Sequence, residues 1–282
     1  MSDLPFVSIL MCSYNAWEYV AHTITSVLQQ SYDNFELLIL DNNSSDTTVS
    51  VIKSFADKRI NLVESKTNIW PYWWLNKLLA QAKGDYIAIQ DHDDLWHPQK
   101  LEKQVSFLEK NHKYIWCGTK TLMRYEWDQK WFEYFLGKEN YYTIHPSLLF
   151  RNQGFRYPED RIYMNDAYFQ KMVLCHWKKL IYNIDQTLTI HRIKSWAENY
   201  SYKRFQYTKK NVQTLFALHP WWYACVALFR EWLRKLLYPI VQRTWRGSWI
   251  DRLERIPFRL MGYKIWLYNK KEVEKLWFIG KL

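Results

Sequence analysis

The sequence predicts an α/β fold in which a mostly parallel sheet is flanked by helices. Two observations lead to this prediction. Over positions 1–120, apolar runs of strand length alternate with segments whose apolar residues recur at helical spacing. The apolar runs also contain few polar residues, as is typical of strands buried on both faces. Such alternation favours parallel strands that are joined by helices packed on the sheet.

Strands and helices are predicted in alternating order along this region. The strands are the apolar runs at 6–12, 35–40, 60–63 and 85–90. The first helix places Val20, Ile24, Val27 and Leu28 on one face. The other helices are predicted to follow an N-cap at Asp46, to span 73–82, and to begin near Pro98, because proline is favoured in a first turn. From about 114 to 190 the sequence predicts shorter strands and one helix over 166–174.

Polar residues follow three of the predicted strands. They are the clusters Ser13-Tyr14-Asn15, Asp41-Asn42-Asn43 and Asp91-His92-Asp93-Asp94. Ligands of open α/β sheets bind beyond the carboxyl ends of the strands. We therefore expect the three clusters to face one crevice.

The acidic cluster at 91–94 has the composition of a divalent cation site. Three carboxylates within four residues repel one another at a buried strand end unless a cation is present. Carboxylate oxygens suit Mg²⁺ or Mn²⁺. The alternative is a solvated acidic turn that caps the following helix, but placement in the crevice with two other polar clusters favours the metal.

Four segments together resemble glycosyltransferase family 2. They are residues 7–15 (VSILMCSYN), 26–32 (SVLQQSY), 35–46 (FELLILDNNSSD) and 84–94 (GDYIAIQDHDD). The match covers about residues 5–195 and keeps the order and spacing of the family. The resemblance implies the Rossmann-like GT-A fold and an inverting transfer of a sugar from a nucleotide diphosphate to an acceptor hydroxyl.

The resemblance also assigns residues to the donor. Ser13 and Tyr14 match the loop on which the nucleotide base packs, and Asp41 and Asp91 match acidic residues that hold the nucleoside. Many relatives have a second acid where this chain has Asn42, which leaves the base open between uracil and thymine. The expected donor is therefore a UDP- or dTDP-sugar.

Metal ligands and a catalytic base are implied in the same way. Asp93 matches the direct metal ligand, Asp94 is expected to support the site by hydrogen bonding, and His191 resembles a family histidine that reaches the metal or the diphosphate. A packed or solvated histidine is the alternative for His191. Asp166 is similar to the catalytic carboxylate, the alternative being a helix cap.

One base is sufficient for the implied reaction. The acceptor hydroxyl loses a proton as it attacks, and Asp166 is expected to accept that proton. The diphosphate leaving group needs its charge neutralised, which Mg²⁺ or Mn²⁺ supplies.

The C-terminal part differs from the rest in charge. We place a domain boundary near residue 200, with the catalytic domain at 1–200 and a basic, helical extension at 201–282. The extension has 17 Lys+Arg, 5 Asp+Glu and seven Trp. Basic helices rich in Trp bind anionic membrane surfaces. The alternatives are a helical subdomain packed on the catalytic domain, or a nucleic-acid contact, which no recognisable motif supports.

The remaining features favour a cytoplasmic protein at the inner face of the cell membrane. The four cysteines lack C-x-x-C spacing, the N-terminus does not resemble a signal peptide, and no apolar segment is long enough to span a bilayer. The expected acceptor is then a membrane-bound or lipid-linked glycan. Two rival functions are a nucleotidyltransferase and an inactive nucleotide- or glycan-binding relative that serves as a membrane scaffold.

Overall fold

The fold is known from a computed structural model of the chain. The structure describes residues 4–68, 71–125, 131–135, 137–140, 142–160, 165–176, 181–193, 209–218, 221–222, 224–225, 228–229, 232 and 264–268.

Four parallel strands form one half of the sheet. They are β1 (Val7–Ser13), β2 (Phe35–Asp41), β3 (Ile60–Glu64) and β4 (Tyr86–Asp91), in the spatial order β4-β1-β2-β3. Residue Ser13 lies opposite Asp41 in the β1–β2 pair, and Cys12 lies opposite Asp91 in the β1–β4 pair. The registers place the polar strand ends at one edge, which confirms the predicted convergence.

The other half of the sheet contains both strand directions. Its members are β5 (Leu95–Trp96), β6 (Trp116–Tyr125), β7 (Trp131–Phe135), β8 (Glu139–Asn140), β9 (Leu149–Arg151) and β10 (Ile181–Ile193). Strand β9 lies antiparallel between β4 and β6. Strand β10 runs parallel to β6 and antiparallel to β5, where Ile190 lies opposite Leu95. This last register brings residues after Ile190 beside the acidic turn that precedes β5. Strands β6 and β10 are longer than the sequence predicts for this region.

Helices cover both faces of the sheet. They are α1 (Val20–Leu28), α2 (Thr48–Lys53), α3 (Pro71–Gln81), α4 (Lys100–Lys110), α5 (Asn165–Tyr168) and α6 (Lys209–Leu218). A π-helical turn at Phe169–Leu174 continues α5, and a 3₁₀ turn spans His145–Ser147. Alternate residues of β1 point to opposite apolar clusters: Ile9 packs with residues of α1 and α4, whereas Leu10 packs with residues of α3. The flanked parallel sheet is therefore as predicted.

Two sequence predictions differ from the structure. The N-cap of α2 is Thr47 rather than Asp46. Asp46 nevertheless accepts a 2.9 Å hydrogen bond from the backbone N–H of Thr48, so it satisfies a first-turn donor from one position earlier. The extension also contains a strand, β11 (Lys264–Tyr268), which pairs antiparallel with β7. The predicted helical extension therefore includes a strand at these residues, and much of 201–282 lies outside the described residues.

Among the helices that the structure describes, none combines the length and apolar character needed to cross a bilayer.

Candidate functional site

The loops after β1 and β2 form one side of the crevice. Asp41 is 2% exposed and accepts hydrogen bonds from the backbone N–H and the hydroxyl of Ser44, at 2.9 and 2.6 Å. The backbone N–H of Asn42 donates to the carbonyl of Ser13. These hydrogen bonds hold the loop after β2 in place. The family resemblance assigns this loop to the nucleoside. The assignment of Asp41 to the donor stays a prediction.

Ser13 and Tyr14, at the carboxyl end of β1, differ in their exposure to solvent. Ser13 is fully buried, and its hydroxyl has no hydrogen-bond partner among the residues that the structure describes. Tyr14 is 41% exposed just beyond the strand end. An exposed aromatic ring at the carboxyl edge can stack on a base. The donor roles of Ser13 and Tyr14 stay predictions.

The acidic turn after β4 is tied to the end of β10. His191 Nδ1 lies 2.7 Å from Asp94 Oδ2, and the backbone N–H of Arg192 donates to Asp94 Oδ1 at 2.8 Å. Asp94 is fully buried. Both of its oxygens are thus engaged by β10, which gives Asp94 the supporting role that the sequence predicts.

Negative charge accumulates in this turn. Burial raises the pKa of Asp91 well above its usual range, and the charges of Asp94, Asp93 and Asp166 raise it further, with His191 opposing them. Burial lowers the pKa of His191, but Asp94 outweighs burial and raises that pKa to about 9. His191 is therefore an imidazolium at neutral pH when no other cation is bound. A metal ion would relieve the same excess of negative charge.

Three side chains are close enough to share a cation. Ligand atoms of Asp91, Asp94 and His191 all lie within 4.8 Å of one another. Two carboxylates and an imidazole are a suitable donor set for Mn²⁺, and the carboxylates suit Mg²⁺. The site therefore fits the metal that the sequence predicts. Asp93 is adjacent to this group but not a member of it, so its role as the direct ligand stays a prediction.

Asp166 lies in the first turn of α5 and faces the same region. The hydroxyl of Tyr142 donates to Asp166 Oδ2 at 3.1 Å. Burial, followed by the charge of Asp166, raises the pKa of Tyr142 well above its usual range, so the phenol stays protonated and remains a donor. The charge of Asp166 is also among those that raise the pKa of Asp91.

Sequence reasoning did not assign roles to Tyr142 and Tyr157. His145 Nε2 lies 2.8 Å from the hydroxyl of Tyr157, and His145 Nδ1 lies 3.9 Å from Asp91 Oδ1. Burial lowers the pKa of His145 to about 4, so this imidazole is neutral at neutral pH. The sequence contains 21 Tyr, and no local pattern distinguishes these two. The 3₁₀ turn at His145–Ser147 lies against β4, which brings His145 and its partner Tyr157 towards Asp91.

Comparisons with known proteins identify the family of the chain. The family model described as glycosyl transferase family 2 matches residues 8–171. One curated relative is the UDP-Glc:alpha-D-GlcNAc-diphosphoundecaprenol beta-1,3-glucosyltransferase WfgD of Escherichia coli, 42% identical over 106 residues that are 38% of this chain and 42% of the relative. The matched region spans less than half of the length of the curated relatives.

Two solved structures share the fold. TarS 1–349 of S. aureus in complex with UDP-GlcNAc superposes with a TM-score of 0.62 at 17% identity, covering 76% of this chain and 65% of that one. The mannosyltransferase PcManGT of Pyrobaculum calidifontis, in complex with GDP-Man and Mn²⁺, gives a TM-score of 0.56 at 17% identity, covering 67% and 57%. The family match extends over more than half of the chain, from β1 into the π-helical turn after α5. The chain therefore belongs to glycosyl transferase family 2.

Proposed function

We propose that this protein is an inverting glycosyltransferase that transfers a sugar from a nucleotide-diphosphate donor to a hydroxyl of a membrane-bound or lipid-linked glycan. The observation that carries the proposal is the convergence of Asp91, Asp94, His191 and Asp166 at the carboxyl edge of a family 2 domain. A cation-binding group and a separate carboxylate are the two parts that such a transfer requires.

The donor is proposed to be a UDP-sugar, with a dTDP-sugar as the alternative. The name of WfgD specifies UDP-Glc, and the TarS structure contains UDP-GlcNAc. In this chain Asn42 occupies the place of the second acid, and its side-chain amide donates to Asn68 Oδ1 at 2.8 Å. We place the nucleoside at Ser13, Tyr14, Asp41 and Asp91.

The metal is proposed to be Mg²⁺ or Mn²⁺, held by Asp93 and His191 with Asp91 and Asp94 beside them. The Mn²⁺ in the PcManGT structure supports a divalent cation on this fold. When bound, the metal would neutralise the charge of the departing diphosphate. Asp94 contributes by fixing His191 through the 2.7 Å contact to Nδ1.

Asp166 is proposed to accept the proton of the acceptor hydroxyl. Its Oδ2 is already engaged by Tyr142, which orients the carboxylate and leaves Oδ1 for the acceptor. The protonated phenol of Tyr142 would also stabilise the Asp166 carboxylate before transfer.

The acceptor is proposed from the name of a relative, and the location of the protein is proposed from the composition of the extension. WfgD is named for a diphosphoundecaprenol acceptor, which is a lipid-linked glycan. The basic composition of 201–282 suits the anionic inner face of the cell membrane. We propose peripheral association there, in the synthesis of a surface polysaccharide or lipopolysaccharide.

A panel of UDP-, dTDP- and GDP-sugars, incubated with Mn²⁺ and with or without EDTA, tests the proposal. We expect metal-dependent release of the nucleoside diphosphate from one donor. Release of pyrophosphate from a nucleoside triphosphate and a sugar 1-phosphate, supplied in a parallel assay, would identify the nucleotidyltransferase rival. Nucleotide binding without turnover, in the presence of lipid-linked acceptors, would identify an inactive membrane scaffold.

A further inference from the structure

Helix α6 is fixed to the segment that contains Asp166. Lys171 lies in the π-helical turn that continues α5, and its Nζ donates to the backbone carbonyl of Leu218 at 2.9 Å. Leu218 is the last residue of α6 and is 1% exposed. A lysine that binds a terminal carbonyl caps the C-terminus of a helix. The end of α6 is thereby attached five residues beyond Asp166.

The Lys171 contact is partly buried. Burial lowers the pKa of Lys171 to about 8, so the ammonium group is largely protonated at neutral pH and donates to the carbonyl. An ammonium placed at the negative end of a helix is favoured by the helix dipole. The contact therefore stabilises one position of α6 relative to α5.

Large aromatic side chains are exposed directly after this attachment. The exposed fractions are 72% for Trp221, 49% for Trp222, 61% for Phe229 and 52% for Trp232. These residues are helical, and the rings of Phe229 and Trp232 stack with centroids 5.7 Å apart. Exposed apolar surface of this kind marks an interaction site. We refer to Trp221, Trp222, Phe229 and Trp232 as the aromatic surface.

The positive charge of the extension at 201–282 favours an anionic partner for the aromatic surface. The sequence from 201 to 282 contains 17 Lys+Arg and 5 Asp+Glu. A lipid bilayer with anionic headgroups offers negative charge together with an interface in which Trp rings are stable. Nucleic acid offers negative charge and stacking bases, but the chain shows no nucleic-acid-binding motif. Anionic lipid is therefore the better fit.

We propose that the aromatic surface inserts into the headgroup region of an anionic bilayer, and that the Lys171–Leu218 contact positions Asp166 for an acceptor held in that bilayer. The second half rests on the proposed glycosyltransferase function. The first half does not, because insertion is measured without turnover.

Co-sedimentation with vesicles tests insertion. We compare the full chain, the double variant Trp221→Ser/Trp222→Ser, and the control Trp73→Ser, which removes a 43% exposed Trp from α3. On phosphatidylglycerol-containing vesicles we expect the double variant to bind about tenfold more weakly or worse, because two rings leave the interface. The control should bind as the unaltered protein does. Equal binding by the double variant, or absence of binding by the unaltered protein, overturns the proposal.

Cys225 supplies a second and independent measurement. Cys225 is exposed near the aromatic surface, whereas Cys117 and Cys175 are buried. A polarity-sensitive thiol label on Cys225 should shift to shorter emission wavelength with anionic vesicles and stay unchanged with phosphatidylcholine vesicles. Cys225→Ser controls for labelling at Cys12. A shift with double-stranded DNA but not with anionic vesicles would assign the surface to nucleic acid and refute lipid docking.

Lys171→Met tests the positioning role. We expect unchanged vesicle binding and unchanged hydrolysis of the donor by water, but a several-fold higher KM for an acceptor embedded in vesicles. A loss of donor hydrolysis equal to the loss of transfer would show a general structural defect and contradict positioning. A further outcome is that neither the unaltered protein nor any variant transfers sugar, although the double variant binds vesicles more weakly than the unaltered protein. In that case the glycosyltransferase proposal fails, whereas the proposal that the aromatic surface inserts into a bilayer stands.

Discussion

His191 Nδ1 lies 2.7 Å from Asp94 Oδ2, although 97 residues separate the two in the chain. The pairing of β10 with β5 creates this contact, since Ile190 lies opposite Leu95 in the antiparallel register. The other oxygen of Asp94 accepts the backbone N–H of Arg192. A single buried carboxylate thus joins the acidic turn after β4 to the end of β10. It also orients the imidazole that the proposed metal site uses.

Replacement of Asp94 by Asn should weaken both stability and metal binding. The amide has one oxygen for two donors, so either His191 or the Arg192 N–H loses its partner in a buried position. We expect the free energy of unfolding to fall by about 1–3 kcal/mol. The affinity for Mn²⁺, measured by calorimetry, should fall at least tenfold because His191 is no longer held. Asp33→Asn, at an exposed side chain, is the matched control. Undiminished Mn²⁺ affinity in Asp94→Asn would contradict the supporting role.

Replacement of Asp91 by Asn should raise the stability of the metal-free protein and weaken its stabilisation by Mn²⁺. The folded-state pKa of Asp91 is raised by burial and by its acidic neighbours, so ionisation of Asp91 destabilises the fold as pH rises above the unfolded value of 3.8. At neutral pH we therefore expect a higher Tm for the metal-free variant than for the unaltered protein. Mn²⁺ should raise the Tm of the unaltered protein more than that of the variant. A variant with a lower metal-free Tm would show that Asp91 is paired rather than repelled.

The parallel half of the fold follows from the sequence because its strands are buried on both faces. Val7, Ile9, Leu10 and Met11 are all fully buried, which explains the near-continuous apolar run of β1. The carboxyl ends of such strands share one edge, so the positions of the three polar clusters were predictable as well.

The second half of the fold depends on pairings that have no local signal. No residue pattern specifies that β10 pairs with both β5 and β6, or that Lys264–Tyr268 joins the sheet beside β7. The contact of Asp94 with His191 follows from the pairing of β10 with β5. The contact of Tyr142 with Asp166 joins residues 24 positions apart and has no local signal either. Family resemblance points to His191 and Asp166, whereas no sequence pattern points to Tyr142.

Replacement of Asp166 by Asn should abolish transfer while leaving donor binding intact. The amide keeps the size of the side chain and can still accept from Tyr142, but it cannot accept the acceptor's proton. We expect kcat to fall by about 10²–10⁴. Donor affinity, measured by titration of intrinsic fluorescence, should change less than about threefold. Asp185→Asn, at a half-exposed carboxylate that pairs with Lys120, controls for the loss of one charge. A kcat within tenfold of the unaltered value would remove Asp166 as the base.

Tyr142→Phe supplies a finer test of the same site. Loss of the phenol removes a hydrogen bond to Asp166 Oδ2, so the carboxylate is no longer held in one orientation. We expect kcat to fall by about tenfold because the base is less well positioned, while donor affinity stays unchanged. An unchanged kcat would show that Tyr142 does not act on Asp166 during catalysis.

Lys100 is buried at the start of α4 and should impose a pH dependence on stability. Its ammonium group lies 3.8 Å from the centroid of the Trp96 ring and donates to Gln104 Oε1 at 2.8 Å, and the residue is fully buried. Burial lowers its pKa from 10.5 to about 7. Gln104 in turn donates to the carbonyl of Ser147, so this cluster supports the 3₁₀ turn that contains His145.

The sign of the effect follows from proton binding in the two states. Between about pH 7 and pH 10 the unfolded state binds the Lys100 proton and the folded state does not, so stability rises with pH over this window and is constant below it. Relative to Lys100→Met, the unaltered protein should gain on the order of 4 kcal/mol of unfolding free energy from about pH 7 to about pH 10. Chemical denaturation of both proteins at several pH values measures this difference. Lys110→Met, at the exposed end of α4, should show no such gain. If the difference in unfolding free energy between the unaltered protein and Lys100→Met does not change with pH, Lys100 is charged in the folded protein. The face of Trp96 and the side chain of Gln104 would then stabilise its ammonium group.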